Sequence, residues 1–167
     1  MSGLVSEARV DIELQLTVEN LLARYAHAID DDHLEAWPDF FVEQARYRIT
    51  TAENHERGLP LSLVYADSRA MLRDRVNALR HANVYEAQRY RHTISAVLVE
   101  RIDAHTARAV SAFQVVRIMH SGETMLFASG RCLDRIRITG EAGLAQFEER
   151  IVVIDSRRVD TLMAIPL

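Results

Sequence analysis

The hydrophobic period of this chain changes between Leu14 and Ile49, and that change limits what it can fold into. Leu14, Val18, Leu21, Leu22, Tyr25 and Ile29 recur at spacings of three and four, which places them on one face of a helix. Glu19, Arg24 and His27 fall on other faces. Asp30-Asp31-Asp32 interrupts the pattern, and a short aromatic segment with Trp37, Phe40 and Phe41 follows. Beyond Phe41 the period is two, with Ala45, Tyr47 and Ile49 on one side and Arg46, Arg48 and Thr50 on the other. That is the pattern of a half-buried strand. A helix with one apolar face needs a surface to cover.

The second half of the chain supplies that surface. Strand-like segments run near 90–103, 107–120, 123–138 and 144–157. Turn residues at Asp103–Thr106, Ser121-Gly122 and Thr139–Gly143 separate them. Short connections between consecutive strands predict an antiparallel meander. In the last strand Phe147, Ile151 and Val153 are expected on one face, with Glu148 and Arg150 on the other. The segments exceed the usual five or six residues, so bulges and strong curvature are expected. Ala128-Ser129-Gly130 is read as marking one such bulge.

The first helix is predicted to start between Glu7 and Ile12, with Ser6 or Asp11 as cap, and to end near Ile29. Three aspartates there oppose the negative end of the helix dipole, so they need water or basic partners. Thr51–Leu61, with Asn54, Gly58 and Pro60, reads as a loop or an irregular hairpin returning through Leu61–Tyr65. Asp67 or Ser68 caps a further helix through about Arg80. Leu72, Val76 and Leu79 face inward on it, and Arg69, Arg73 and Arg80 form a basic stripe. Helices followed by a long meander predict an α+β fold, with helices on the concave face of a bent sheet. The tail from Thr161 to Leu167 is almost wholly apolar and is expected to dock in a groove of this subunit or a neighbour.

At 167 residues, 49% apolar and 26% charged, the chain suits a single domain, 1–167, with one core. No apolar run is long enough to cross a bilayer. The N-terminus lacks the layout of a signal peptide. A net charge of −4 gives no reason to expect nucleic acid as a partner. Cys132 is the single cysteine, so an intrachain disulfide is ruled out, in keeping with a reducing cytoplasm. All 20 basic residues are arginine. Genomic base composition explains that, and the planar fork of arginine also suits subunit interfaces.

Four residues near the aspartate break, His27, Asp30, Asp31 and His33, include the donor types of a two-histidine, one-carboxylate iron site. The broken helix leaves their geometry unfixed, and a solvated turn is the expected outcome. A Rieske centre needs two cysteines, so Cys132 alone excludes it, along with a cysteine-type zinc site. Strand alternation puts Tyr90 and His92 together, opposite Arg89 and Arg91. On the concave side, Tyr25, Asp30 and His92 would form an acid–base cluster. The competing expectation is a buried structural histidine. No Gly-x-Ser-x-Gly elbow or phosphate-cradling loop is present, and Cys132 reads as a small core residue.

The stretches YAHAIDDDHLEAWPDFF (25–41), YRITTAENHERGLPL (47–61), YADSRAMLRDRV (65–76), RYRH (89–92), FQVVRIMHSGET (113–124), FASGRCLDRI (127–136) and ERIVVIDSRRVDTLMAIPL (149–167) run through nearly the whole chain. In that order they resemble the β (small) subunits of the terminal oxygenases of aromatic-ring-hydroxylating dioxygenases. The branch acting on aromatic carboxylates is the most similar, the terephthalate type nearest. The resemblance implies an NTF2-like, cystatin-like cone. It implies a mixed hexamer of three large α and three β subunits, with β–β trimer contacts. It also implies that the Rieske [2Fe-2S] cluster, the mononuclear Fe(II) and the substrate site lie on α. No catalytic, cofactor or metal residue is implied for this chain. Subunit contacts are expected from Arg69, Arg73 and Arg80 as unpaired charge, from Asn54 and His55 in the loop, and from Leu162, Met163, Ile165 and Leu167 in the tail. The alternative is a stand-alone, scytalone-dehydratase-like lyase or isomerase using Tyr25, Asp30 and His92 in an open polar cavity.

Overall fold

Asp11 opens the first helix: its carboxylate accepts the Leu14 N–H at 3.1 Å, and α1 runs Ile12–Asp30. The computed structural model describes residues 10–82, 86–140, 144–157, 163 and 165–167. Ser6, the other candidate cap, lies outside them. Leu14, Val18, Leu21, Leu22, Tyr25 and Ile29 form the buried face of α1, as the spacing predicts.

The aspartates end α1 in an orderly way. Asp32 takes φ +60°, and the N–H groups of Asp32 and His33 return to the carbonyls of Ile29 and Ala28 at 3.1 and 2.8 Å. This is a Schellman-type stop with aspartate where glycine is usual. A 3₁₀ helix, Leu34–Phe40, then delivers Trp37 to the interior, and β1 (Phe41–Thr51) begins directly after it.

The Thr51–Leu61 segment differs from a plain loop. The Thr51 hydroxyl caps a one-turn helix, α2 (Ala52–Glu56), and Gly58, at φ +63°, turns the chain after it. Arg48 holds the carbonyls of Leu59 and Leu61, and the Thr50 hydroxyl also donates to Leu61. The chain returns as β2 (Val64–Ala66), antiparallel to β1. Five residues are too few to show a helical period, so α2 has no signature in the sequence. Ser68 caps α3 (Arg69–His81), which buries Leu72, Val76 and Leu79.

The four long strands are β3 (Gln88–Arg101), β4 (Thr106–Met119), β5 (Thr124–Thr139) and β6 (Leu144–Ile154), all antiparallel to their sequence neighbours. The sheet order is β2-β1-β6-β5-β4-β3. β1 lies parallel to β6, so the first long strand closes against the last. α1 packs on both β3 and β6. Three strand spacings of about 4.8 Å separate those two, so the sheet must bend around the helix to touch it with both.

Bulges produce the bend. Ala96 and Val97 of β3 oppose one residue of β4, with Ala96 at φ +50°. Phe127 is the extra residue of β5 and Glu148 that of β6. The bulge expected at Ala128-Ser129-Gly130 therefore sits one residue earlier. Gly130 itself marks close backbone approach: a Cβ there would collide with the Val153 carbonyl oxygen. The Glu148 bulge also reverses β6. Phe147 and Arg150 both point inward, so Arg150 does not join Glu148 outside as simple alternation predicts.

The tail docks on its own subunit. Met163, Ile165, Pro166 and Leu167 are buried, and Arg75 donates to the Met163 carbonyl at 2.8 Å. Thr161 and Leu162 lie outside the described residues. Among the described residues, no helix is long and apolar enough to cross a membrane.

Gly130→Ala is expected to cost about 3 kcal/mol, because the obstacle is backbone and cannot rotate away. Thermal unfolding should shift down by roughly 6–12 °C; an unchanged melting temperature would refute the close-approach reading.

Candidate functional site

The interior of the cone is an aromatic stack closed by the tail. Tyr25, Trp37, Phe41, Tyr47 and Phe147 are all fully buried. Trp37 meets Tyr47 edge-on at 5.2 Å, and Tyr25 meets Phe147 at 5.5 Å, the geometry that ring quadrupoles favour. The Tyr25 and Tyr47 hydroxyls converge on the Leu167 main-chain oxygen at 2.7 and 3.0 Å. The Leu167 N–H donates back to the Tyr47 oxygen at 3.1 Å. Burial pushes the Tyr25 phenol up to about 12 and the Tyr47 phenol well above its usual value. Both hydroxyls stay protonated, and their role is to donate.

Beneath them lies a charge that sequence alternation places outside. The Arg150 guanidinium carbon sits 4.4 Å from the Tyr25 ring centre and 4.7 Å from that of Phe147. Its Nη1 donates to Asp134 at 2.8 Å and its Nη2 to Cys132 Sγ at 3.2 Å. Burial raises the Asp134 carboxyl to about 6 against the opposing pull of Arg150, and raises the Cys132 thiol to about 12. Cys132 is thus an inert core thiol beside an ion pair. Asp134 and Arg150 were legible only as members of alternating strands; the bulge that turns Arg150 inward leaves no signal in the sequence.

Asp30 and His92 do meet. His92 Nδ1 lies 2.6 Å from one Asp30 oxygen, and the His92 backbone N–H donates to the other at 2.8 Å. Both side chains are 3% exposed, and Arg91 lies 3.9 Å from the same carboxylate. With Nδ1–H donating, Nε2 is left as an acceptor and has no partner among the described residues. Tyr25 is not part of this pair, because its hydroxyl is committed to Leu167. A cleft of about 470 Å³ opens beside the pair, lined by residues including Asp31, Asp32, Arg89, Arg91 and Ile165.

The four residues weighed as an iron site go separate ways. Asp30 faces His92, the exposed His27 lies 4.0 Å from Asp31, and the exposed His33 stands at the start of the 3₁₀ helix. Among the described residues, no group of three or more histidine, cysteine or carboxylate side chains is arranged to hold a metal.

The basic stripe, expected as unpaired charge, is paired within the chain. Arg69 pairs with Glu43 at 2.6 Å, Arg73 with Asp39 at 3.4 Å, and Arg80 with Asp32 and Glu35 at 2.9 and 2.7 Å. Carboxylates of the 3₁₀ helix, of β1 and of the turn after α1 lie within reach of α3, so its arginines stitch the layers together. Asn54 and His55 sit half-exposed on α2. Met163, Ile165 and Leu167 face their own core.

Arg150→Met should cost about 3–5 kcal/mol in urea unfolding, since it strands a buried carboxylate. Without Arg150 the Asp134 pKa should rise beyond about 6. Wild type already holds that proton below about pH 6, so the deficit relative to wild type should grow as pH rises from about 6 to 8. Adding Asp134→Asn should remove that pH dependence; a deficit flat in pH would contradict the assignment.

Residues 24–161 match the family described as "Ring hydroxylating beta subunit". A terephthalate 1,2-dioxygenase terminal oxygenase subunit, beta 1, from Comamonas is 47% identical over 93% of this chain and 98% of its own length. The anthranilate 1,2-dioxygenase small subunit of Burkholderia cepacia is 35% identical over 94% and 96%. A Novosphingobium aromaticivorans crystal structure, designated the β subunit of an aromatic-ring-hydroxylating dioxygenase, superposes with a TM-score of 0.86. It is 33% identical, over 95% of this chain and all of that one. The cone is the NTF2-like fold that the sequence resemblance implies. The chain belongs to the ring-hydroxylating dioxygenase β-subunit family, as part of an oxygenase built with an α subunit.

Proposed function

We propose that this chain is a non-catalytic structural subunit that scaffolds α subunits hydroxylating a terephthalate-like aromatic carboxylate in the cytoplasm. The observation that carries this reading is the filling of the cone. Trp37, Phe41, Tyr47, Phe147 and Leu167 occupy the space where a lyase of this fold would need an open, polar-lined cavity. Tyr25 donates to the tail, and Asp30 holds His92 against the end of α1, so the three do not converge on one substrate position. The Rieske [2Fe-2S] cluster and mononuclear Fe(II) then belong to α, and the assembly is three α with three β subunits, the latter in mutual contact. The relatives that act on terephthalate and anthranilate support an aromatic acid as the substrate class.

The interface draws on exposed groups that the fold holds rigidly. Asn54 and His55 lie on the capped α2 turn, and Arg73 is 53% exposed despite its pairing with Asp39. Arg69 and Arg80 contribute by fixing α3, while the tail residues Met163, Ile165 and Leu167 support the surface from within. Leu61, Leu63 and Tyr65 are exposed on the segment that Arg48 clamps, an apolar edge suited to a partner.

Co-expressed with the large subunit of its own oxygenase, the chain should co-purify in a complex whose mass fits three of each. Iron should fractionate with the large subunit. Arg73→Glu combined with His55→Glu should weaken co-purification at least roughly tenfold, the loss of charge complementarity at a contact. Iron bound to this chain alone, or turnover without the large subunit, would overturn the proposal.

A further inference from the structure

The tail is held by a built site inside the cone, and that site has the properties of a receptor. Two phenolic donors, Tyr25 and Tyr47, meet on one main-chain oxygen of Leu167, and the Tyr47 oxygen in turn accepts the Leu167 N–H. Arg75 takes a second main-chain oxygen, that of Met163, at 2.8 Å. Between these two anchors the side chains of Met163, Ile165, Pro166 and Leu167 are buried against the core. The positive charge of Arg150 lies over the Tyr25 ring, 4.4 Å from its centre, where it favours an oxygen acceptor at the hydroxyls. All the donors stand on α1, β1 and α3, so the site is framed by elements that hold their places through contacts other than the tail.

We propose that this seat is a separable binding site for a short apolar peptide segment, recognised by two main-chain oxygens and a branched side chain. In the protein at rest its own Met163, Ile165, Pro166 and Leu167 occupy it. Tyr25 and Tyr47 select an acceptor oxygen, and Arg75 sets the spacing to a second one. The aromatic wall formed with Trp37 and Phe41 takes the apolar side chain. The same seat accepts an identical segment supplied from outside when the resident one is displaced.

Trp37 is the single tryptophan of the chain and lies 5.2 Å from the Tyr47 ring, so its emission reports on the seat directly. The full-length Ile165→Asp variant puts a carboxylate into the buried stretch and should expel the resident tail. Adding the pentapeptide Met-Ala-Ile-Pro-Leu to it should give a saturable change in Trp37 emission. A peptide of the same composition in scrambled order should give none, and wild-type protein, whose seat is filled, should respond to neither. A folded variant, judged by circular dichroism, that shows no saturable response overturns the proposal. So does an equal response to the scrambled peptide.

A second variant decides the matter if Ile165→Asp does not fold. Tyr25→Phe with Tyr47→Phe keeps the rings and removes the hydroxyls. Hydrogen exchange at the Leu167 amide should accelerate roughly tenfold or more, because all three hydrogen bonds to Leu167 are lost. Exchange in the β4–β5 ladder should stay unchanged. Unaltered exchange at Leu167 would show that the hydroxyls do not hold the segment, and would overturn the proposal equally.

Discussion

A guanidinium locked among aromatic rings governs the interior of this protein. Arg150 stacks on Tyr25 and Phe147, bonds Asp134, and lies beside Cys132. Desolvating such a pair costs several kcal/mol per ion before any attraction is counted. Cation–π contact with two rings and a charge-assisted hydrogen bond offset that cost. Positional definition is the benefit. Asp134 is on β5, Arg150 on β6 and Tyr25 on α1, so a slip of β6 by one residue would turn Arg150 to the other face and leave the Asp134 carboxylate buried and unpaired. The ion pair therefore fixes the register of the strand that joins the β1 side of the sheet to the meander.

That register sets what the cone can contain. With Arg150 beneath them, the Tyr25 and Tyr47 hydroxyls are turned toward a common point, and the tail brings an oxygen to it. Two buried phenols without an acceptor would each cost about 1–3 kcal/mol, so the interior is consistent only when something with an oxygen fills it. The same filling occupies the interior between Trp37, Phe41, Tyr47 and Phe147. An acid–base pair persists at Asp30 and His92, but its hydrogen bonds tie the end of α1 to β3, where an acidic helix end needs a basic partner.

Periodic elements were legible in the sequence because their signals are local. The face of α1, the Asp11 and Ser68 caps, and all four long strands follow from spacing and turn residues, and the observed ends agree to within a few residues. The parallel pairing of β1 with β6 was not legible: its partners lie about a hundred residues apart, and neither carries a mark of the other. Arg150 was misplaced for a related reason. One extra residue at Glu148 inverts the alternation of β6, and a bulge of that kind has no fixed residue signature. His92 was placed beside Tyr90 correctly. Tyr25 was drawn into the same cluster only because strand and helix patterns cannot say which of two acceptors a hydroxyl will choose.

Surface charge follows the same logic as the core. Arg80 uses Nε, Nη1 and Nη2 at once, on Glu35, Asp32 and the Asp32 carbonyl. An ammonium could not span those positions from one place, because its donors radiate from a single atom. The clamp fastens α3 to the turn that ends α1 and answers the negative helix end with positive charge. Exposed pairs of this sort contribute little to stability one at a time. A network that joins α3, the 3₁₀ helix and β1 does something different: it fixes the angle between helices and sheet. A subunit whose role is contact needs that angle held, since a partner reads the relative positions of surface groups and a helix free to roll would blur them. The arginine stripe thus gives the surface formed by α3, the 3₁₀ helix and β1 one shape.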